Sequence, residues 1–247
     1  MKTVVFSNQK GGVGKTTLCL QLGHYIAEKN LRALLVDADP QGNLSKSLVD
    51  VPGFGLYEAL NASEYEVEAV RENLNLLAGN VKLALLEKSL LGEVDAYTRF
   101  KELLKGEVFQ SFDYILIDSP PSLGILAINA LTAADYLVIP MNPSVYSMQG
   151  TNDLMETVAK VRRTLNPNLS LLGVIINAFD PVPSITRQIK DEIHQAFGER
   201  VFSNVLSRSV RIEEAIASRT AVTTRKSKVA GEVKQLGEEF LLKLGAL

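Results

Sequence analysis

The sequence opens on an apolar run, "TVVFSN", that passes through "QKGGVGKTT" into a stretch with helical periodicity. Few features narrow the possible folds as strongly. A glycine-rich loop between a buried strand and a helix aims its backbone N–H groups and the helix N-terminus at one point, and that geometry suits phosphate. Gly11, Gly12, Val13 and Gly14 let the backbone close round the anion. Lys15 can reach β- and γ-phosphates, the Thr16 hydroxyl can ligate Mg2+, and Thr17 can bond the α-phosphate. The pattern G-x-x-x-x-G-K-[ST] calls for glycine at position 9, where Gln9 stands, and a second lysine, Lys10, precedes the glycine pair. One lysine is enough for a nucleotide's own phosphates, so Lys10 needs a separate account.

The remainder of the chain repeats the same alternation. Short runs rich in Val, Ile and Leu, bounded by Gly, Pro, Asn or Asp, predict strands over 3–8, 32–39, 73–79, 112–120, 135–143 and 170–179, with one more over 201–206. Their near-continuous apolar character suggests burial on both faces, as in a parallel sheet. Helical patterns fall between them, over 15–29, 146–166, 184–198 and 229–244. In the third, Ile185, Ile189, Ile193 and Phe197 recur on one face, with Gly198 as a C-cap. The expectation is an α/β fold, a doubly wound and mostly parallel sheet with helices on both faces, forming a single domain over 1–247.

Two acidic elements join the glycine loop. "YILIDSPPS" is an apolar strand ending in Asp118, which reads as a Walker B aspartate holding Mg2+ through water. "LLVDADPQGN" ends a strand with Asp37 and Asp39, two residues apart and so on one side of it. Carboxylates converging in this way are costly in a plain core and far less so beside Mg2+ and an attacking water. Open α/β sheets bind ligands at the C-terminal ends of their strands, where these residues fall.

Composition removes several function classes. One cysteine, Cys19, forbids an internal disulfide and a cysteine-rich metal or iron–sulfur site within one chain; it reads as a small buried hydrophobe. His24 and His194 lie far apart and read as structural or exposed residues. No signal peptide is visible, and no apolar run approaches the roughly 18 residues that span a bilayer, so a cytoplasmic location is expected. Net charge is −2, but residues 200–234 hold eight basic residues against three acidic ones, net +5, leaving −7 for the rest. Such asymmetry marks either a polyanion-binding surface or a solvated face.

"KGGVGKTT", "DADPQGN" and "IDSPPS", in this order and spacing, resemble the P-loop NTPases with a deviant Walker A motif of the ParA/MinD family. The run from "MNPSVYSMQG" to "GVIINAFD", with "SRSVRIEEAIASRTAV", is similar to the ParA (Soj-type) branch, and the likeness covers nearly the whole chain. The resemblance implies an ATPase using ATP and Mg2+, a homodimer on ATP binding, non-specific duplex DNA of the nucleoid as a partner, and a ParB-like or other adaptor that stimulates hydrolysis. By it, Lys10 is the signature lysine that reaches the partner protomer's ATP, so Lys10, Lys15 and Asp39 are the catalytic set. Asp39 positions the attacking water, Asp37 lies near the metal with Thr16 and Asp118, and Asn177 meets the adenine edge. Arg211 matches a DNA-contacting arginine, with Arg187, Lys190, Arg208, Arg219, Arg225 and Lys226 as further candidates.

Two departures stand out. Many relatives carry proline where this chain has Ser207, which leaves backbone contacts to adenine from "LSRSVRIEEA" open. The sequence also begins on the first strand, without the helix-turn-helix of some plasmid relatives, so operator-specific repression is not expected. A MinD-like membrane-cycling ATPase is the alternative, but it needs a basic amphipathic tail. In "VKQLGEEFLLKLGAL", Glu238 and Glu239 offset Lys234 and Lys243, so no membrane partner is expected. A metabolic enzyme on the same fold, such as an amide-forming ligase or a metallocluster carrier, is a third class. No substrate signature supports the first, and the cluster carriers need cysteines this chain lacks.

Overall fold

A computed structural model describes residues 1–50, 53–61, 63–144, 149–180 and 184–246; of 149, 150, 184 and 185 it describes the backbone. In chain order the elements are β1 (Lys2–Phe6), α1 (Lys15–Glu28), β2 (Ala33–Asp37), α2 (Asn43–Lys46), α3 (Leu56–Leu60), β3 (Glu68–Arg71) and β4 (Leu74–Leu77). Then come α4 (Leu83–Ser89), α5 (Arg99–Leu103), α6 (Glu107–Gln110), β5 (Tyr114–Asp118), α7 (Ile125–Ala133) and β6 (Tyr136–Met141). The chain ends with α8 (Gln149–Thr164), β7 (Ser170–Ile176), α9 (Ser184–Phe197), α10 (Val210–Ala217) and α11 (Lys228–Lys243). The first residues of the helix expected over 146–166, and the side chain of Ile185, lie outside the described set.

The strands form one sheet in the order β3-β4-β2-β5-β1-β6-β7, parallel except for β3. The apolar runs are buried throughout in β2 and β5, as expected for strands covered on both faces. Alternation along them sorts the core into two layers. Val5, Leu34, Val36, Ile115 and Ile117 face α7, α8 and α9 through Leu126, Val158 and Ile193. Val4, Phe6, Leu35 and Leu116 face α1 and α11 through Leu22, Leu236 and Phe240. Phe240 stacks on Phe6 at 6.2 Å, so the final helix is a core element.

Two elements differ from expectation. Residues 201–206 do not form a strand; isolated bridges flank them, Val174 to Val201 and, just after, Phe179 to Ser207. Between them, the N–H groups of Ser203 and Asn204 donate to the Glu239 carboxylate at 2.7 and 2.9 Å, which takes them out of any ladder. Conversely, β3 is an antiparallel edge strand with half-exposed alternation, "EAVR", and lacks an apolar run.

Candidate functional site

The sheet's register builds the site. Asp37 at the end of β2 pairs directly with Asp118 at the end of β5, and Asp118 pairs with Phe6 at the end of β1. The loop leaving β1 therefore begins beside both carboxylates. Gly12 (φ 73°) and Gly14 (φ 92°) take left-handed backbone that L side chains rarely adopt. Gly14 is also the N-cap of α1 and supplies no side-chain cap, which leaves the helix N-terminus able to meet an anion.

The two lysines of this loop rest on different partners. Lys15 is buried, and its Nζ donates to the carbonyls of Asn8 (3.1 Å) and Lys10 (3.5 Å), inside the loop. Burial lowers its pKa, against the opposing pull of Asp118 and Asp39. The Nζ of Lys10 instead donates to Ser144 Oγ, just past β6, at 2.5 Å. Asn8 holds the loop in place: its Nδ2 donates to Pro140 O (2.7 Å) and its Oδ1 accepts from Lys10 N (3.0 Å).

Three carboxylates gather at these strand ends, and two of them, Asp118 and Asp39, act on Lys15. The Thr16 hydroxyl donates to Asp118 Oδ2 at 2.6 Å, while Asp118 Oδ1 is buried with no partner. Burial pushes the Asp118 carboxyl well above the usual range, and neighbouring Asp37 raises it further. Asp37 is fully buried; desolvation raises it to about 6 even though Ser45 N and Oγ both donate to its Oδ2, at 2.8 and 2.7 Å. Asp39 accepts from Gln41 N at 2.9 Å. The negative charge at the strand ends is thus underneutralised, and an orphaned carboxylate oxygen sits beside a threonine hydroxyl. Both fit Mg2+, which keeps waters and takes one or two carboxylates plus substrate phosphates. Among the described residues no group of three or more His, Cys, Asp or Glu side chains forms a metal cage.

Beyond the loop lies a cleft of ≈ 210 Å³ lined by Gly14, Thr17, Asn177, Ser207, Ile212 and Ile216 among others. Asn177 closes one end, its Nδ2 donating to Val13 O at 2.9 Å. Its lining mixes apolar Ile212 and Ile216 with the polar Thr17, Asn177 and Ser207, a chemistry that suits a base.

Of the basic candidates, Arg187, Arg208 and Lys226 are exposed, and Lys190 Nζ lies 5.4 Å from the Phe179 ring. Arg211 and Arg225 both pair with Glu214, at 2.8 and 3.3 Å, and Arg219 pairs with Asp50 at 2.5 Å. Exposed pairs of this kind contribute about 0–1 kcal/mol.

Sequence reading missed Ser45, Asn8 and Ser144. Asn8, a polar residue closing an apolar strand, carried a signal; Ser45 and Ser144 carried none, because their roles exist only once distant segments meet. Cys19 is buried as expected, and so is His24, whose pKa burial lowers to about 4.

Comparison with known proteins agrees with this geometry. A family model described as an AAA domain matches residues 1–171. The chain is 34% identical to the chromosome-partitioning ATPase Soj of Treponema pallidum over 99% of this chain and 98% of that protein. It is 38% identical to the sporulation initiation inhibitor protein Soj of Bacillus subtilis, over 87% of each. Among solved structures it resembles cobyrinic acid a,c-diamide synthase from Mycobacterium smegmatis with bound ADP and magnesium. That match has a TM-score of 0.87 and 28% identity, over 100% of this chain and 96% of the other. From the glycine loop, the paired strand-end aspartates and relatives that run almost its full length, the chain belongs to the ParA/Soj family of partitioning ATPases.

Proposed function

We propose that this chain is an ATP-switched homodimer that binds duplex DNA without sequence preference and positions a cargo on the nucleoid. The observation that carries the reading is the division between the loop's two lysines. Lys15 turns inward onto carbonyls of its own loop, where it can serve its own nucleotide. Lys10 rests on Ser144 instead, and in this reading it serves a partner's phosphates.

In this account ATP lies along the loop, with its phosphates on the N–H groups of Gly11, Gly12, Val13 and Gly14 and on Lys15, Thr16 and Thr17. Its base enters the cleft beside Asn177. Thr16 and Asp118 would hold Mg2+, with Asp37 behind them; the cation, when bound, neutralises charge on the β- and γ-phosphate oxygens. Lys10 of each protomer adds positive charge to the partner's phosphates where water is excluded and the interaction is strong. Asp39 orients a water for in-line attack on the γ-phosphorus. The bond to the bridging oxygen breaks, leaving ADP and inorganic phosphate. The cross-contacts then weaken and the dimer separates.

Dimerisation doubles the basic surface around Arg208, Arg211, Arg219, Arg225 and Lys226, with Arg187 and Lys190 beside it. DNA affinity thereby depends on ATP. A ParB-like or other adaptor that stimulates hydrolysis would set the timing. The membrane-cycling alternative is less well supported: Val233, Leu236, Phe240 and Leu241 of α11 are spent on the core. Among the described residues, no helix is long and apolar enough to cross a membrane. The test is binding to plain duplex DNA. The expected result is salt-sensitive binding with ATP and Mg2+ and little with ADP; ATP-independent or absent binding would overturn the reading.

A further inference from the structure

The base cleft has one wall whose support comes from an unexpected direction. Residues 207–209 separate this cleft from a second one, lined by Phe179, Arg208, Lys228 and Glu232 among others. The segment's link to the chain just past β7 is slight. It consists of the bridge between Phe179 and Ser207, made by Phe179 N–H to Leu206 O (3.0 Å) and Arg208 N–H to Phe179 O (3.2 Å). The Ser207 N–H takes no part in that bridge. It donates to Glu232 Oε2 at 2.9 Å, and the Ser207 hydroxyl donates to Glu232 Oε1 at 2.8 Å. Both carboxylate oxygens of one residue in α11 therefore clamp one residue of the wall. The Glu232 side chain is only 14% exposed, and Lys228 one turn earlier holds it at 3.3 Å.

The wall is anchored at both of its ends. After it, Ser209 caps α10, its Oγ accepting from Arg211 N at 3.2 Å, which fixes Ile212 and Ile216. Before it, Leu206 is buried and its N–H donates to Ile176 O of β7 at 3.0 Å; Phe179, which bridges to Ser207, follows Ala178, whose backbone is left-handed at φ 52°, a conformation uncommon for alanine. Between these anchors Ser207 has an isolated bridge to the segment that follows β7 on one side, and the Glu232 carboxylate fixes it from the other. Hydrogen bonds to a charged acceptor, mostly shielded from water, are strong enough to do this.

We infer that Glu232 is a positioning residue for nucleotide recognition, acting through Ser207 to hold the wall against the base. The inference rests on the reading of the cleft as the base site. Proline at 207 could donate neither bond; serine there lets the wall be clamped from a distant helix. Glu232 never touches the nucleotide; its removal loosens the base site and leaves the phosphate loop intact.

The experiment compares ATP with inorganic tripolyphosphate, which carries the phosphate chain without base or ribose. Binding by calorimetry and steady-state kinetics are measured for wild type, Glu232→Ala, Glu232→Gln, Ser207→Ala and the double variant Ser207→Pro/Glu232→Ala. Wild type should bind ATP more tightly than tripolyphosphate; equal binding would overturn the base-cleft reading itself, whatever Glu232 does. Given that difference, Glu232→Ala should weaken ATP and raise its KM about tenfold, the effect of losing two charge-assisted hydrogen bonds in part. Tripolyphosphate affinity and kcat should stay within about twofold. Glu232→Gln, which removes the charge from the acceptor, and Ser207→Ala, which keeps one bond, should fall between and serve if Glu232→Ala does not fold. Proline at 207 should restore part of the ATP affinity in the Glu232→Ala background, because it stiffens the wall with no N–H left to satisfy. Unchanged ATP affinity in all variants, or parallel loss of ATP and tripolyphosphate, would overturn the inference.

Discussion

Gly14→Ala tests how the phosphate loop and the base cleft are joined. Gly14 has φ 92°, and a methyl group there would sit 1.9 Å from Nδ2 and 2.9 Å from Cγ of Asn177. Two costs follow. The first is the left-handed backbone, about 1–2 kcal/mol for a residue with a Cβ. The second is the collision, which drives the Asn177 amide off the Val13 carbonyl and breaks a buried 2.9 Å hydrogen bond. Leaving such a group unpaired costs about 1–3 kcal/mol. The variant should therefore lose about 2–5 kcal/mol of stability to urea without nucleotide, the sum of those two terms. Asn177→Ala alone removes the bond and should cost about 1–3 kcal/mol. The double variant has no amide to collide with, so its cost should fall short of the two single costs added together by about 1–3 kcal/mol, a coupling that a double-mutant cycle measures directly. Additive single effects would refute the reasoning, because they would mean that Gly14 and Asn177 do not compete for the same space.

Other expectations follow from the same geometry. His24 takes up its proton near 6.5 when unfolded and only at about 4 when folded, so stability is highest above 6.5 and falls as pH drops through that window. The loss should approach about 3 kcal/mol at the low end, and His24→Gln, compared with wild type by thermal melts across pH, should remove it. Asp39→Ala should bind ATP, dimerise and hold DNA without turnover; normal phosphate release would sink the assignment of Asp39 to the attacking water. Arg211→Ala should weaken DNA binding equally on all sequences and lower the slope of log affinity against log salt by about one. An unchanged slope in fluorescence anisotropy would remove Arg211 from the interface.

What could be read from the sequence follows from what each element needs. The strands that carry the site were legible because burial on both faces demands continuous apolar runs, and "LLVDAD" and "YILID" end those runs with charges that a plain core would not tolerate. β3 was not legible, because an edge strand of four half-exposed residues needs no such run. The short helices α2 to α6 gave little warning, since pieces of four to seven residues hold too few turns to show a period. Residues 201–206 look like a strand and are not one, because Glu239 claims two of their N–H groups from 35 and 36 residues away. At the site, Lys15, Thr16 and the three aspartates could be named from spacing. Ser45, Ser144 and Glu232 could not, because each acts by meeting a segment remote in sequence.

The central claim is that one loop serves two nucleotides, Lys15 its own and Lys10 the partner's. The most direct measurement is the molar mass of Lys10→Ala by light scattering, with ATP and Mg2+, against Lys15→Ala and wild type. Wild type should double its mass with ATP. Lys10→Ala should bind ATP in a parallel calorimetric titration and remain a monomer, whereas Lys15→Ala should lose ATP binding itself. A Lys10→Ala protein that still doubles its mass on adding ATP would contradict the account.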